Sequence, residues 1–315
     1  MYRPGEAIAE GCRQLHAGDD CCRVVVLGSA QDGGVPQAGC RCPNCRTAVA
    51  LGRGRTSASL AVVMGKPASA IVLVDASPDL RRQLGILGSF LKDVGPDDGR
   101  RRPFDAVFLT HLHMGHCAGL LELGREVMDA KELPIYCTRR VGDAIRENAP
   151  WQLLVRLGNI VLHTFEPGDC VRPVAGLSVR SLLVPHRDEL GDTVGYLITC
   201  ERSCRSLLYI PDADSWGGIS PPLTRLVAQV DYALLDGTFF HGDELSKWTT
   251  RRVHDVPHPP IRETVRMLRA SQAQVWFTHL NHTNPLLDPR SAESRWLRQA
   301  GNFGVADDGM VFDLG

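Results

Sequence analysis

Three histidines, at positions 111, 113 and 116, crowd one short segment, Val107-Phe-Leu-Thr-His-Leu-His-Met-Gly-His-Cys-Ala-Gly119. Neutral imidazole is a ligand for zinc, iron or manganese, and a loop on a rigid scaffold can aim several rings at one point. The apolar run Ala106 to Leu109 before them predicts a buried strand. Leu120 to Met128 after them carries apolar residues at helical period and predicts a helix. Histidines between a strand and a helix suit a metal better than a chance surface cluster. A second constellation, Cys40-Arg-Cys42-Pro-Asn-Cys45, offers three thiolates at metal-ligand spacing. A closed structural zinc site has four ligands, so a fourth must come from elsewhere in the chain.

Further candidates stand at the ends of predicted strands. His186 follows Val184-Pro185, Asp212 and Asp214 follow Tyr209-Ile210-Pro211, and His279-Leu280-Asn281-His282 follows Val275 to Thr278. Asp214 is expected to support a ligand rather than bind directly. His258, before Pro259-Pro260 and a helix, is a candidate site acid or substrate clamp, with a packed surface histidine as the plain alternative. His16, His163, His241 and His254 have no supporting context.

The elements that must position these groups follow in order. Arg23 to Leu27 is a β-branched strand that runs into the glycine-rich turn Gly28 to Pro36, which has neither a Walker loop nor a dinucleotide fingerprint. Flexible backbone there makes room for a neighbouring site. Leu60 to Met64 and Ile71 to Asp75 read as strands joined at Gly65-Lys66-Pro67, followed by a helix with Ser77 as N-cap and Pro78 first. Leu133 to Tyr136 reads as a strand, and Val141 to Leu157 as helical, broken near Pro150. Ile160 to Phe165, Leu177 to Val184, Thr193 to Cys200 and Leu207 to Ile210 read as consecutive, largely antiparallel strands. Tyr232 to Asp236 and Val275 to Thr278 are strands, and Ile261 to Ala270 is an amphipathic helix. Ligands offered by loops at sheet edges, in two halves that each combine strands and helices, predict an α/β (α+β) four-layer sandwich with the site between the sheets.

Composition narrows the classes. The chain has 315 residues, 43% apolar and 23% charged, with a net charge of −1, so it can bury a large core. Only Arg100-Arg101-Arg102 forms a basic run, read as a solvated turn, and no nucleic-acid partner is expected. No apolar stretch is long enough to span a bilayer, and residues 1–22 lack a signal-like apolar region. They are read as a poorly ordered extension before one domain, residues 23–315. The 11 cysteines, an odd number, fit a reducing, cytoplasmic setting rather than a disulfide framework.

Thr110-His111-Leu112-His113-Met114-Gly115-His116, with His186, Asp212 and His279 in order, resembles the metallo-β-lactamase superfamily. That resemblance implies an αββα sandwich with one or two metals. Val26 to Ala30, Gly33 to Gln37, the Cys triplet, Asp75 to Asp79 and the ending His279 to Pro285 are similar to the pyrroloquinoline quinone biosynthesis B family. This second resemblance runs from Arg23 to the C-terminus. The Cys triplet and His-x-x-His ending also resemble the phosphonate-pathway cyclic phosphodiesterases, which implies Cys40, Cys42, Cys45 and His282 as a structural zinc site. The superfamily resemblance implies His111, His113 and His186 at one metal, and His116, Asp212 and His279 at a second, Asp212 bridging. Gly115 departs from the pattern, which has Asp before the third histidine. The departure removes a hard anionic ligand and predicts a weaker or different second metal.

The expected activity is hydrolysis of an ester or phosphodiester by metal-bound hydroxide, since a bound metal brings the pKa of its water to about 7. Asp212 would orient or deprotonate that water, and His258 or the second metal would stabilise the substrate oxygen. Active-site zinc, manganese or iron fits the ligand set. One alternative is a non-haem iron oxygenase or hydroxylase acting on a tyrosine-derived precursor, as the biosynthesis B resemblance implies. Another is a non-catalytic binding or carrier protein held by its structural zinc. The expected partner is a small-molecule or peptide-derived substrate, with a homodimer allowed and no membrane.

Overall fold

The computed structural model describes residues 21–66, 68–88, 103–242, 244–247 and 256–315. Residues 1–20 of the expected extension 1–22, the basic run at 100–102, His16 and His254 lie outside them, whereas Cys22 is buried and already belongs to the first strand. The early strands are β1 (Cys22–Gly28), β2 (Ser59–Met64), β3 (Ala70–Val74), β4 (Ala106–Phe108), β5 (Leu133–Thr138) and β6 (Ile160–Phe165). The later ones are β7 (Cys170–Val174), β8 (Leu177–Leu183), β9 (Val194–Cys200), β10 (Ser206–Ile210), β11 (Tyr232–Asp236), β12 (Gln274–Thr278), β13 (Phe303–Val305) and β14 (Val311–Asp313). They form two seven-stranded sheets, β14-β1-β2-β3-β4-β5-β6 and β13-β12-β11-β10-β9-β8-β7.

The sheets pack face to face. Val24, Val26, Leu60, Val62, Val72 and Val74 meet Val179, Tyr196, Ile198, Leu207, Tyr209 and Leu234. Alternate residues of the same strands, such as Val25, Leu27, Ile71 and Leu73, point outward and are buried as well. Both faces of β1 to β3 are therefore covered, which explains why their sequences are continuous apolar runs rather than alternating ones. On the outer face of the first sheet lie α2 (Leu80–Ile86), α4 (Arg139–Glu147) and α5 (Trp151–Arg156). On that of the second lie α6 (Leu223–Val227), α7 (Ile261–Leu268) and α8 (Ala292–Gln299). Two short helices, α1 (Pro43–Leu51) and α3 (Met114–Cys117), belong to the site loops. The result is the expected four-layer αββα sandwich. No helix among the described residues is long and apolar enough to cross a membrane.

Three local expectations are corrected. Ile160–Phe165 does not start the antiparallel run. It pairs in parallel with β5 in the first sheet, and the second sheet begins with the unforeseen hairpin β7–β8. Leu120 to Met128 is not a regular helix. A 3₁₀ turn covers Ala118–Leu123, and Gly124 ends it in extended backbone at φ −66°, ψ 167°. Ser77 is not the N-cap of α2, which starts at Leu80. Its hydroxyl donates to Gln83 Oε1 (2.9 Å) and accepts from the Asp79 amide (3.1 Å), tightening a turn before the helix.

The site lies at one edge of the sandwich. β3, β4 and β5 run parallel, as do β10, β11 and β12. The C-terminal ends of β3, β4, β10, β11 and β12 therefore release Asp75, the histidine loop, Asp212, Asp236 and His279 towards the same crevice. This is the usual place for function in sheets of this kind. Asp75 and His279 both hold left-handed backbone, at φ 66° and 59°. Non-glycine residues in that region are uncommon and concentrate at functional sites.

Candidate metal centres

The Cys triplet and His282 converge: their ligand atoms all lie within 4.8 Å of one another. His282 Nδ1 stands 3.3 Å from Cys40 Sγ and 3.4 Å from Cys42 Sγ. Ligands on one tetrahedral zinc would be roughly 3.6 Å apart. Backbone amides support the sulfurs, from Gln37 to Cys45 (3.3 Å), Cys42 to Cys40 (3.4 Å) and Cys45 to Cys42 (3.5 Å). Such bonds favour thiolate. Cys42 caps α1, with Pro43 in its first turn, so the helix unforeseen in the sequence holds two of the thiols. Asn44 Nδ2 donates to the His282 carbonyl (3.0 Å) and locks the two segments together.

The histidine centre is built from paired supports. His116 Nδ1 meets Asp75 Oδ2 at 2.7 Å, His186 Nδ1 meets Asp214 Oδ1 at 2.7 Å, and His111 Nδ1 meets Thr110 Oγ1 at 2.9 Å. His279 Nδ1 meets Thr238 Oγ1 at 2.9 Å. With one ring nitrogen tied, each histidine presents Nε2 inward, the arrangement that fixes tautomer and direction for a metal ligand. Asp75 also accepts from the Thr110 amide (2.8 Å) and hydroxyl (2.9 Å).

The Nε2 atoms surround Asp212. Its Oδ2 lies 3.5 Å from His111, 3.3 Å from His186, 3.7 Å from His279 and 4.0 Å from His116. His113 joins through Nδ1, 2.9 Å from His111 Nε2 and 3.1 Å from His186 Nε2. Two ligands about 2.1 Å from one ion are roughly 3.0–3.5 Å apart. His111, His113, His186 and Asp212 thus form one candidate group. His116 and His279 form another with Asp32, which the sequence did not single out. His258 donates from Nδ1 to Asp236 Oδ2 (2.7 Å) and stands 3.5 Å from Asp212 Oδ1. Asp236 also accepts from the Ala213 and Thr238 amides. These bonds occupy both its oxygens, so Asp236 and His258 read as a proton-holding pair rather than ligands.

Burial and charge set the protonation states. Burial pushes His111 well below the usual imidazole range, and His113 falls through burial and the nearby Arg187. Burial opposes charge on His116 as well, but Asp75 outweighs it and holds the ring at about 9. Burial is likewise outweighed at His258, which Asp236 brings to about 9, and at His186, raised by Asp212 and Asp214. Asp212 stays well below the carboxylate range despite complete burial, because His279, His111 and His186 surround it. Two carboxylate oxygens, Asp212 Oδ1 and Asp32 Oδ1, are buried with no hydrogen-bond partner. Uncompensated buried anionic oxygens are costly, and cations placed among these donors satisfy them. The residues present therefore fit metal ions.

All ten predicted ligands, and His258, thus fall in these two clusters. His163, exposed beside Tyr136, and His241, near Glu293, stand apart. Asp32, Asp236 and the supporting role of Asp75 were missed. The one signal for a missing acid was Gly115.

Residues 71–280 match the β-lactamase superfamily domain, and that domain is the class which the sandwich and its edge cluster define. The chain is 33% identical to the coenzyme PQQ synthesis protein B of Methylobacterium radiotolerans, over 93% of this chain and 100% of that protein. It is 31% identical to the protein of that name from Methylococcus capsulatus, over 92% and 99%. The crystal structure of Zn(2+)-bound PqqB from Methylobacterium extorquens superposes with a TM-score of 0.79 at 30% identity, over 93% and 100%. A diphosphatase of the PhnP family shares the fold, with a TM-score of 0.66 at 20% identity over 93% and 97%. The chain belongs to the coenzyme PQQ synthesis protein B family.

Proposed function

We propose that the protein is a metal-dependent hydrolase of ester or phosphodiester bonds. The observation that supports it is Asp212, whose Oδ2 lies within 4.0 Å of four histidine Nε2 atoms drawn from two ligand groups. His111, His113 and His186 would hold one ion and His116 and His279 a second, with Asp212 between them. Such ions supply a hydroxide nucleophile at neutral pH and a positive field for oxygen charge. Asp212 Oδ1, free of hydrogen bonds, is the oxygen placed to orient a water. His258, held by Asp236 through Nδ1 and 3.5 Å from Asp212 Oδ1, would be the group to give a proton to a leaving oxygen. Its raised pKa keeps that proton in place at neutral pH. Cys40, Cys42, Cys45 and His282 would hold a structural zinc.

A cavity of about 780 Å³ is walled by Cys40, Cys42 and His282 of the cysteine cluster and meets the histidine centre at Asp32, with Arg41 and Thr283 among its other lining residues. Its amides, hydroxyl, one acid and one cation suit a polar small-molecule or peptide-derived substrate. A second reading, in which the same centre would hold iron and serve an oxidative step, rests on the histidine and carboxylate ligand types; the relatives' name supports only a place in coenzyme PQQ synthesis.

The test is turnover of bis-p-nitrophenyl phosphate and p-nitrophenyl acetate by the metal-loaded protein, with and without oxygen. Oxygen-independent turnover that disappears in the His111→Ala/His113→Ala variant is expected. Unchanged turnover in that variant refutes the reading, and turnover that requires oxygen transfers the centre to the second.

A further inference from the structure

We propose that Asp32, on the glycine-rich turn after β1, is the carboxylate ligand of the second metal position, standing where the side chain of residue 115 would otherwise be. The proposal rests on the two-metal reading of the histidine centre.

The first observation is steric. A Cβ built on Gly115 would lie 2.0 Å from Asp32 Oδ1, 2.6 Å from its Cα and 2.7 Å from its Cγ. Two of these are not the far end of a flexible chain. A side chain at 115 and Asp32 in its present place exclude each other, so glycine at 115 is what admits the loop. The second is position. Asp32 Oδ1 is 3.5 Å from His116 Nε2 and 3.8 Å from His279 Nε2, and those two nitrogens are 3.4 Å apart. The third is that this oxygen is buried without a hydrogen-bond partner, although the rest of the side chain reaches the neighbouring cavity. Anionic oxygen held towards two imidazole nitrogens, and bonded to nothing, is a ligand geometry.

The loop is held firmly enough to place a ligand. The Gln31 amide donates to Leu280 O (3.0 Å), the Leu280 amide to Ser29 O (2.9 Å), and Ser57 Oγ to Asp32 O (2.8 Å). Asn281 Nδ2 donates to Gln31 Oε1. These bonds pin Asp32 to the strand end that carries His279. The acid missing from the helix is therefore supplied in the same place by a segment that is remote in sequence.

The test counts ions by elemental analysis and titrates the zinc-retaining, chelated protein with Co(II), followed by visible absorption. Wild type is expected to hold one zinc that resists mild chelation and to take two Co(II). Asp32→Asn is expected to keep the zinc and the first Co(II) and to bind the second at least tenfold more weakly. Gly115→Ala leaves Asp32 in the sequence but displaces it, so it should reproduce that loss. The Asp32→Gly/Gly115→Asp exchange should restore the second ion. Retention of zinc and an unchanged melting transition show that each variant is folded. Wild-type affinity for both Co(II) ions in folded Asp32→Asn overturns the role of Asp32 alone. A wild-type protein that takes only one Co(II) overturns the two-metal centre and, with it, this proposal.

Discussion

Asp75 is the support whose removal tests the logic of the histidine centre most directly. Its carboxylate is buried and binds His116 Nδ1 at 2.7 Å, the Thr110 amide at 2.8 Å and the Thr110 hydroxyl at 2.9 Å. Asparagine matches its shape and tolerates the φ of 66°, so Asp75→Asn removes a charge with little backbone strain. In protein whose histidine centre has been stripped by mild chelation, Asp75, with smaller help from Asp32 and Asp212, outweighs burial and holds the His116 pKa at about 9, against 6.5 for an imidazole in the unfolded chain. That rise corresponds to on the order of 3 kcal/mol of folding free energy. Because the folded value lies above the unfolded one, the contribution is complete below pH 6.5 and disappears as pH rises through 9. Urea unfolding of wild type and Asp75→Asn from pH 6 to 10 measures it. The stability gap between them should be widest below pH 6.5 and narrow by about that amount at pH 10. A residue of about 1.5–3 kcal/mol should remain for the weakened bonds to Thr110. In the metal-loaded protein the same change should weaken binding by about 10–100-fold, since His116 loses its orienting anion. A gap that is constant across the whole pH range refutes the assignment of Asp75 as the group that charges His116.

Two further outcomes follow from other parts of the site. If His258 is the proton donor, turnover falls as pH rises through about 9, and Asp236→Asn moves that limb down towards 6.5; a pH–rate profile whose basic limb does not move refutes the pairing. Cys42→Ala should lose the chelation-resistant zinc, and loss of even several kcal/mol of metal-linked folding energy lowers Tm by roughly 10 °C. Elemental analysis with calorimetry checks this, and full zinc retention at an unchanged Tm removes Cys42 from the ligand set.

The sequence by itself determined most of the strands, though not β7, β13 or β14, and the ligand types. Runs such as Val24 to Leu27 and Ala233 to Leu235 are apolar throughout, as a strand covered on both faces requires. The His111–His116 and Cys40–Cys45 groups were legible because short spacing on one loop or turn fixes neighbours without tertiary information. Their supports were less so. Leu120 to Met128 has helical periodicity, yet period reports which residues are buried, not which backbone buries them, and Gly124 ends the turn. Ile160–Phe165 is a strand in either sheet by its composition. Parallel pairing with β5 is decided by the crossover through α4 and α5. Asp32 was invisible for the strongest reason. Nothing local distinguishes an acid in a glycine-rich turn; His116 is set beside it by the strand order of the first sheet, and His279 only when the two sheets close. Gly115 read in one dimension is a lost ligand; in three it is the space that lets Asp32 in, because an oxygen 2.0 Å from a Cβ position cannot share it.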